Sequence, residues 1–418
     1  MPGHIVLAYS GGLDTSVGIH WLKTRFDAKV TAVLVDMGQD PASVEAAVER
    51  GLANGAEDVL VPRVRDRFAE TYVAPAIRAN ALYQGTYPLA TALARPLIAE
   101  ELVRAARAVG ADAFAHGCTG KGNDQVRIEA GVKALAPGMA CIAPQRSHPM
   151  SRDEVLRYAA RHSLALPPEK KSPYSVDENL WGRSIEGHDL EDPAVAPAEA
   201  AFAWTRSPTA CPDEPGAFTL AFERGLPVAL DGVPLALADL VARLNVLVGG
   251  HGVGRIDHVE DRLVGIKSRE VYEAPAAVAV LTAKKALEAL TLTKEEARLK
   301  PFLEQKYAEA VYEGLWHAPV RTAIQAFVDT VQAHVQGTVT MQAWKGGLTV
   351  LGRSSPRSLY APELATYSDA DAFHHQAAEG FIELWSLPTE TATRVRGIAP
   401  SPGAPDPDVA VSPAAVVP

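Results

Sequence analysis

The chain has 418 residues, of which 47% are hydrophobic and 22% are charged, and its formal charge is −10 at neutral pH. This composition is that of an ordinary globular protein, and the length exceeds what one hydrophobic core usually holds, so two domains with extensions are expected. The acidic balance argues against binding nucleic acid or anionic membranes, and no stretch approaches the ~20 apolar residues of a membrane helix.

The three cysteines, Cys118, Cys141 and Cys211, are far apart and form no Cys-x-x-Cys pair. This spacing argues against a disulfide framework and against a cysteine zinc site, and it suits a reducing compartment. The first apolar run begins almost at Met1, so no signal peptide is expected. We therefore predict a cytoplasmic protein without a metal site built from its own side chains.

Apolar periodicity alternates between strand and helix up to about residue 165. The predicted strands are residues 5–9, 30–36, 58–64, 111–116 and 140–143. The predicted helices are residues 15–25, 43–54 (capped by Ser43), 88–109, 123–135 and 151–163, with Pro96 marking a kink or a new start. This alternation predicts an α/β domain, residues 1–166, with a doubly wound parallel sheet that binds ligands at the carboxyl ends of its strands.

The pattern changes after Pro167-Pro168. Strands are predicted at residues 217–223, 228–230 and 263–267 and as a pair around residues 345–347, and helices at residues 235–248, 278–290, 294–313 and 320–335. This mixture predicts an α+β second domain, residues 167–388, followed by a C-terminal extension, residues 389–418. Residues 396–418 are rich in Pro, Ala and Val with almost no aromatic side chain, so we expect them to be disordered.

One stretch organises the chain: residues 4–16, with the sequence HIVLAYSGGLDTS. A strand that breaks at Gly11-Gly12 and opens a helix directs unpaired N–H groups and the positive helix end at one point, which suits a phosphate. A Walker loop is excluded because no lysine follows the glycines. The pattern Ser-Gly-Gly-x-Asp-Thr-Ser resembles the pyrophosphate-binding loop of the N-type ATP pyrophosphatases, which cleave ATP between the α and β phosphates. The structural alternative is a glycine turn followed by a helix that Asp14 caps.

A second glycine-rich stretch, residues 116–127 (HGCTGKGNDQVR), follows the fourth predicted strand. It is therefore expected at the same sheet edge as the first loop. Its glycines allow the backbone to approach a ligand closely, and Lys121, Asp124 and Arg127 supply both signs of charge. Gly122 stands where a Walker loop needs Ser or Thr, so that motif is excluded here too. A purely structural turn with a solvated charge cluster is the alternative.

Together the two stretches resemble the argininosuccinate synthase family, and the likeness continues in the family's order along residues 4–388. The later motifs are YPLATALARP at residues 87–96, SVDEN at 175–179, HGVGRID at 251–257 with Glu260, and KSREVYEAP at 267–275. Separated motifs in a fixed order make the resemblance specific.

The resemblance implies ATP-dependent ligation of L-citrulline and L-aspartate to argininosuccinate in arginine biosynthesis. AMP and pyrophosphate are released, and a citrulline adenylate is the intermediate. ATP is implied to act with Mg²⁺, residues 167–388 to serve synthesis and multimerisation, and the assembly to be a homotetramer. No nucleic-acid or membrane partner is implied.

Site residues follow from the resemblance position by position. Those implied to bind ATP are Ala8, Tyr9, Ser10, Gly11, Gly12, Leu13, Asp14, Thr15, Ser16, Val35 and Gly117. Those implied to bind aspartate are Thr119, Asn123 and Asp124. Those implied to bind citrulline are Tyr87, Asn123, Arg127, Ser175, Ser184, Glu260 and Tyr272. Those assigned to catalysis are Asp14, Asp124 and Arg127, and whether Asp14 orients Mg²⁺ or caps its helix is left open.

Four positions depart from the family pattern. Ala92 stands where many members have a hydroxyl residue, which implies one missing citrulline contact. Cys118 replaces a common alanine, and the run 181–183 (WGR) replaces a more usual one before Ser184. Glu270 stands where glycine is frequent, so a turn at this position is expected to differ.

Two other functions fit parts of the sequence. A tRNA-modifying enzyme uses the same first loop, but it needs a basic surface for tRNA that this acidic chain lacks. A nucleotide-binding regulator without turnover has no need for the charged positions that are intact here. Both alternatives are therefore less favoured than the ligase.

Overall fold

A computed structural model describes residues 2–168 and 173–397 of the chain. The expectation of disorder for residues 396–418 falls outside this range, except for its first two residues. The chain divides after Leu359 into two compact units. The domain boundaries expected near residues 166 and 388 stay a prediction.

The first sheet carries the glycine-rich loops. Its strands are β1 (His4–Ala8), β2 (Lys29–Val33), β3 (Asp58–Leu60), β4 (Ala113–His116) and β5 (Ala140–Ile142). All are parallel, in the order β3-β2-β1-β4-β5. The direction of winding reverses between β1 and β4, which is where ligands bind in sheets of this type. The predicted doubly wound sheet is confirmed.

Helices cover both faces of this sheet. The helices of this part are α1 (Leu13–Phe26), α2 (Pro41–Ala53), α3 (Arg65–Phe68), α4 (Ala74–Arg78), α5 (Ala90–Val109), α6 (Asp124–Leu135), α7 (Pro144–Ser147) and α8 (Arg152–Arg161). Side chains alternate along β1, so Val6 packs in the core with α5, whereas Ile5 and Leu7 pack in the core with α1 and α2. The five-stranded sheet therefore has α5 on one face and α1 and α2 on the other, with β1 at its centre.

Two further sheets complete the first unit. One, in the order β11-β12-β7-β6, contains β6 (Ser175–Asn179), β7 (Gly182–Glu186), β11 (Arg255–Asp261) and β12 (Lys267–Glu273). The other, in the order β10-β9-β8-β13-β14, contains β8 (Gly216–Glu223), β9 (Leu226–Leu230), β10 (Val233–Pro234), β13 (Gly337–Trp344) and β14 (Gly347–Ser354). The helices are α9 (Leu237–Gly249), α10 (Pro275–Thr291), α11 (Lys294–Tyr312) and α12 (Pro319–Gln332). The α+β character is as predicted.

The second unit contains α13 (Pro362–Ala365) and α14 (Ala377–Arg396). Within residues 2–168 and 173–397, no helix combines the length and apolar character that crossing a bilayer requires.

Several element predictions were wrong in their bounds. Of the strand predicted at residues 263–267, residues 263–266 form the turn between β11 and β12, closed by a hydrogen bond from Arg262 N to Ile266 O, and only Lys267 belongs to a strand, β12. The strand predicted at residues 58–64 ends at Leu60, and Pro62, which has no N–H, follows. The helical segment from Arg65 to Arg78 was missed.

Two helix predictions need correction at their starts. Asp40 caps α2 and accepts a hydrogen bond from Ser43 N, so Ser43 is not the cap. The helix predicted from residue 88 begins at Ala90 and continues through Pro96 without a new start.

Candidate active site

The loop between β1 and α1 has the geometry of an anion site. Gly12 occupies the N-cap position of α1 and, having no side chain, cannot cap the first turn itself. Asp14 lies in the first turn of α1 and not at its N-cap position, and the choice between capping and orienting Mg²⁺ stays a prediction. Gly11 has a φ of +71°, and a Cβ at this position would lie 2.6 Å from the Ala47 Cβ. Gly11 therefore lets the chain pass close to α2 and enter α1 without a side chain that covers the N–H groups of the first turn of α1.

Side chains of the loop divide into two groups. The buried Tyr9 hydroxyl donates to Ala47 O at 2.8 Å, and Arg50 NH2 donates to Gly11 O at 2.9 Å, so both hold the loop on α2. Ser10 and Asp14 are exposed instead. Ser10 Oγ lies 3.1 Å from Thr15 Oγ1 and accepts from Gly12 N. Ser10 and Asp14 are therefore the loop side chains best placed to meet a ligand.

The second glycine-rich loop lies directly beside the first. β4 is the neighbour of β1, and a Cβ on Gly117 would lie 3.0 Å from the Thr15 Cγ2. On the other side of β1, the Val35 carbonyl accepts from Gln39 Nε2 at 3.2 Å, while Met37 N donates to Gln39 Oε1 at 2.6 Å. A nucleotide base that uses the Val35 carbonyl must therefore share it with Gln39 or displace that side chain.

Asp124, at the start of α6, is held between two arginines. Its carboxylate accepts from Arg95 NH2 at 2.7 Å and from Arg127 NH1 at 3.1 Å. Burial alone would raise the pKa of Asp124, but the two guanidinium groups outweigh it and hold that pKa well below its ordinary value. Arg95 also pairs with Asp177 of β6. Asp124 is therefore a fixed carboxylate at neutral pH.

Arg127 is 4% exposed and uses only part of its hydrogen-bonding capacity. Its Nε donates to Tyr312 O at 2.7 Å, and its NH1 donates to Asp124. Its NH2 is buried and has no hydrogen-bond partner within the described residues. A buried guanidinium donor without an acceptor points to an anionic or carbonyl group supplied by a ligand.

The positions of the second half that are expected to bind citrulline share one face of the sheet β11-β12-β7-β6. Ser184 pairs with Tyr272 across β7 and β12, and Glu260 pairs with Ser268, four residues before Tyr272 on β12. Ser175 lies two residues before Asp177, the partner of Ser184. Because side chains alternate along strands, Ser175, Ser184, Glu260 and Tyr272 lie on the same face.

Glu260 is 3% exposed and accepts from two phenol groups. Tyr272 donates to its Oε2 and Tyr312 to its Oε1, each at 2.6 Å. The Tyr272 ring stacks on Tyr87 with centroids 4.1 Å apart. The Tyr87 hydroxyl itself contacts Thr91 Oγ1 and accepts from Thr91 N, so it also closes the start of α5. Tyr87, Tyr272 and Glu260 are thus brought together.

Asn123 and Thr119 differ in how free they are to bind a ligand. The Asn123 amide donates to the Tyr312 hydroxyl at 2.8 Å and accepts from Leu263 N at 2.9 Å. Both ends of this amide therefore have internal partners. Thr119 is exposed on the loop after β4.

The structure clarifies the positions that depart from the family pattern. Ala92 is fully buried in α5, and Trp181 is buried in the turn between β6 and β7, with its Nε1 donating to Pro88 O. Burial raises the pKa of the Cys118 thiol to about 12. Glu270 lies within β12, opposite His258, so the expectation of a turn at this position was wrong.

Glu270 belongs to a charge cluster that sequence reasoning missed. Arg262 NH2 donates to Glu270 at 2.6 Å and to Glu186 at 2.9 Å. Arg95 and Tyr312 were missed as well. Arg95 lies inside the YPLATALARP motif, but nothing in the local sequence marks Tyr312. These roles depend on contacts between residues far apart in the chain.

One cluster within the described residues has ligand types that suit a metal ion: His116, Glu129 and Cys141. Glu129 Oε1, however, already accepts from Arg146 NH1 at 2.6 Å and lies 3.1 Å from His116 Nε2. A guanidinium on the same oxygen disfavours a cation there, so we assign no metal to this cluster.

Comparison with known proteins supports one family over nearly the whole chain. Residues 4–165 match the model described as arginosuccinate synthase N-terminal HUP domain, and residues 174–392 match the arginosuccinate synthase C-terminal domain. The argininosuccinate synthase of Rubrobacter xylanophilus is 52% identical over 98% of this chain and 98% of its own length. That of Gloeobacter violaceus is 52% identical over 94% of this chain and 98% of its own length.

One of the solved structures with a similar fold aligns over less of the chain. A U34-tRNA thiolase from Methanococcus maripaludis covers 41% of this chain and 61% of its own, with a TM-score of 0.28 at 18% identity, which is too distant to bear on activity. On the family models and the full-length relatives, the chain belongs to the argininosuccinate synthase family.

Proposed function

We propose that the chain joins L-citrulline to L-aspartate at the expense of ATP, producing argininosuccinate, AMP and pyrophosphate, as in arginine biosynthesis. The observation that carries this proposal is the convergence of Arg127 and Glu260 on one residue, Tyr312, whose backbone carbonyl accepts from Arg127 and whose hydroxyl donates to Glu260. An opposite-charge pair at one place suits the α-carboxylate and α-ammonium groups of an amino-acid substrate.

The nucleotide is expected at the switch between β1 and β4. The first turn of α1 and the Ser10 hydroxyl would hold the pyrophosphate, and the backbone at Val35 and Gly117 would lie beside the adenosine. Residues 8–16 all lie at the carboxyl end of β1. Tyr9 and Ser16 are buried there, so we expect them to hold the loop in place and not to contact the nucleotide. The loop has no lysine to reach a γ-phosphate.

Mg²⁺ would accompany ATP as part of the substrate. Asp14 is exposed in the first turn of α1, and Ser10 Oγ is nearby, so hard oxygen donors of the kind that Mg²⁺ prefers are present. The ion supplies charge neutralisation for the phosphates.

Citrulline would be fixed by Arg127 and Glu260, with Ser175, Ser184, Tyr87 and Tyr272 around it. Its ureido oxygen attacks the α-phosphorus of ATP, the bond to the β-phosphate breaks, and pyrophosphate leaves. The ureido carbon, now bonded to a good leaving group, is attacked by the amine of aspartate, and AMP departs. Holding the reactants in line and stabilising charge are the main tasks of the protein.

Aspartate would bind at the loop after β4. Asp124, kept ionised by Arg95 and Arg127, suits the amino group of this substrate, and the exposed Thr119 hydroxyl suits a carboxylate. The Asn123 amide is hydrogen-bonded to Tyr312 and Leu263, so we expect Asn123 to position these two residues. It would contact substrate only if substrate binding replaces one of these hydrogen bonds.

We further propose a cytoplasmic homotetramer. In support, several large apolar side chains on α14 are exposed in the single chain, and such a surface is commonly covered in an assembly.

The test of the activity is product analysis with each substrate left out in turn. Sustained release of AMP and pyrophosphate is expected only when ATP, citrulline and aspartate are all present, because the amine of aspartate displaces AMP. ADP and orthophosphate as direct products would overturn the proposal. Asp14→Ala should lose most of the activity and still fold, because the side chain is exposed, whereas Glu45→Ala on the surface of α2 serves as the matched control.

A further inference from the structure

Tyr312, the last residue of α11, is 1% exposed and lies where the two halves of the site meet. Its hydroxyl donates to Glu260 Oε1 at 2.6 Å and accepts from Asn123 Nδ2 at 2.8 Å. Its backbone carbonyl accepts from Arg127 Nε at 2.7 Å. One residue thus contacts the cation, the carboxylate and the amide expected around the substrate.

The ring of Tyr312 is fixed from several sides. Tyr83 stacks on it with centroids 3.5 Å apart and planes 5° from parallel, and the Arg127 guanidinium lies 4.6 Å from its centroid. Gly314 follows with a φ of +77°, and a Cβ there would lie 2.7 Å from the Arg127 Cα. The end of α11 therefore packs against the Arg127 backbone as closely as glycine allows.

The hydroxyl has one proton, and that proton goes to Glu260. Burial, together with the Glu260 charge, raises the pKa of Tyr312 above its ordinary value, so the hydroxyl remains a donor at neutral pH. Tyr272 donates to the other oxygen of Glu260. The two phenols fix the rotation of the carboxylate, and each oxygen keeps a lone pair for a ligand.

We propose that Tyr312 is a positioning residue for citrulline. It holds Glu260 through its hydroxyl and Arg127 through its carbonyl and ring, and so sets the spacing between the groups that receive the α-ammonium and the α-carboxylate. This inference rests on the proposed function. Tyr312 acts through Glu260 and Arg127 and is not itself placed against the reacting atoms.

The discriminating variant is Tyr312→Phe, which keeps the stacked ring and the backbone carbonyl and removes only the hydroxyl. The matched control is Tyr307→Phe, on the same helix and equally buried, whose hydroxyl lies 3.4 Å from Arg321 NH1. Both variants lose one buried phenol hydroxyl, so a general loss of packing or stability affects both alike.

Steady-state kinetics with one substrate varied at a time provides the readout. Loss of a hydrogen bond to a charged group should raise the citrulline KM of Tyr312→Phe by roughly 10- to 100-fold. The ATP KM should stay within about twofold, since Tyr312 touches no nucleotide position, and Tyr307→Phe should leave both constants near wild type. Isothermal titration of citrulline should show the same loss of affinity.

Two outcomes would overturn the inference. In one, Tyr312→Phe matches Tyr307→Phe in its citrulline KM; in the other, the citrulline and ATP KM values rise together. Failure of the proposed function would look different, because wild-type enzyme would then form no AMP that depends on citrulline. If wild type is active and Arg127→Leu weakens citrulline binding while Tyr312→Phe does not, only the role of Tyr312 is lost.

Discussion

Arg127 leaves one nitrogen without a partner in the described part of the chain, and this residue carries much of the substrate assignment. Its NH2 is buried, while Nε and NH1 are bonded to Tyr312 and Asp124. A buried donor that lacks an acceptor costs on the order of 1–3 kcal/mol. A bound carboxylate or carbonyl oxygen would remove this cost. The unpaired donor therefore favours a ligand-binding role for Arg127 over a purely structural one.

Arg127→Leu should therefore weaken citrulline binding by about 2–4 kcal/mol, or roughly 30- to 1,000-fold in the citrulline KM. The ATP KM should change little, and the aspartate KM somewhat, because Asp124 loses one of its two arginine partners. Arg104→Leu, an exposed arginine on α5, is the control. If citrulline saturation is unchanged while ATP saturation collapses, Arg127 is a nucleotide ligand.

Glu270 adds a buried carboxylate at the face of the sheet that carries Tyr272. Burial raises the pKa of Glu270 to about 8, the charge of Glu186 adds to this, and Arg262 opposes it. The folded protein therefore keeps a proton here that the unfolded chain, with an ordinary pKa of 4.5, has lost. The stability that this proton provides is complete below about pH 4.5 and is lost as the pH rises through about 8.

Glu270→Gln puts a neutral amide in place of the carboxyl group, as in the protonated form, so the stability of this variant should not fall as the pH rises. Its melting temperature relative to wild type should rise steadily between about pH 5 and pH 8, by the equivalent of up to a few kcal/mol. Thermal unfolding at several pH values measures this difference, with the exposed Glu223→Gln as control. A difference that stays flat with pH contradicts the assignment.

Sequence reasoning at this scale found the residues that lie in motifs but not the residues that connect them. Asp124 and Arg127 both lie in the first turns of α6, and their pairing with each other follows from their spacing of three on that helix. Tyr312 contacts Arg127 from 185 positions away, and no local pattern reports such a contact. Arg262 was missed partly for the same reason, because its partner Glu186 lies 76 positions away.

At the scale of elements, the loop between β1 and α1 depends on close packing against α2. Gly11 combines a positive φ with a position where a Cβ would collide with Ala47. Both constraints come from the need to turn the chain sharply while leaving the start of α1 open. The loop is therefore closely packed against α2.

Gly11→Ala should destabilise the protein by about 1–3 kcal/mol and raise the ATP KM, since the strained loop must move to fit the methyl group. Gly18→Ala on α1 is the control: nothing lies within 4 Å of its added Cβ, and alanine favours a helix by roughly 0.5–1 kcal/mol. Thermal unfolding and ATP kinetics are measured together. Equal behaviour of the two variants would show that the loop is not constrained as described.

Helix α5 shows why some element predictions failed. Its Pro96 predicts a kink or a new start, and the new start is wrong, because the helix runs from Ala90 to Val109. It packs tightly on α6, where a Cβ on Gly131 would lie 2.7 Å from the Ala99 Cβ. Packing of this kind stabilises a helix more than local propensity does, and it is visible only in the folded chain.

At the scale of the whole molecule, α14 carries several large apolar side chains that are exposed. Phe381, Leu384 and Trp385 are 61%, 70% and 68% exposed, and no residue of this helix is buried. Their spacing of three and four places them on one stripe. The stripe fits the proposed homotetramer, because water-exposed side chains of this size are stabilised when another subunit covers them.

Replacing Leu384 and Trp385 together by glutamate should reduce the molecular mass measured by light scattering from that of a tetramer to that of smaller species. Burying each wild-type side chain contributes about 1.5–3 kcal/mol, and an added charge would have to be desolvated. Thr391→Glu on the same helix tests whether charge alone has this effect. A tetramer that persists in the double variant would show that α14 is not the interface.

The central claim is that the ureido oxygen of citrulline attacks ATP and later departs with AMP. Citrulline labelled with ¹⁸O in its ureido group tests this claim most directly, because the oxygen that forms the bond to the α-phosphorus stays on that phosphorus when aspartate displaces AMP. Mass spectrometry of the products should find one ¹⁸O in AMP and none in pyrophosphate. Unlabelled AMP, or label in orthophosphate released with ADP, would contradict the account.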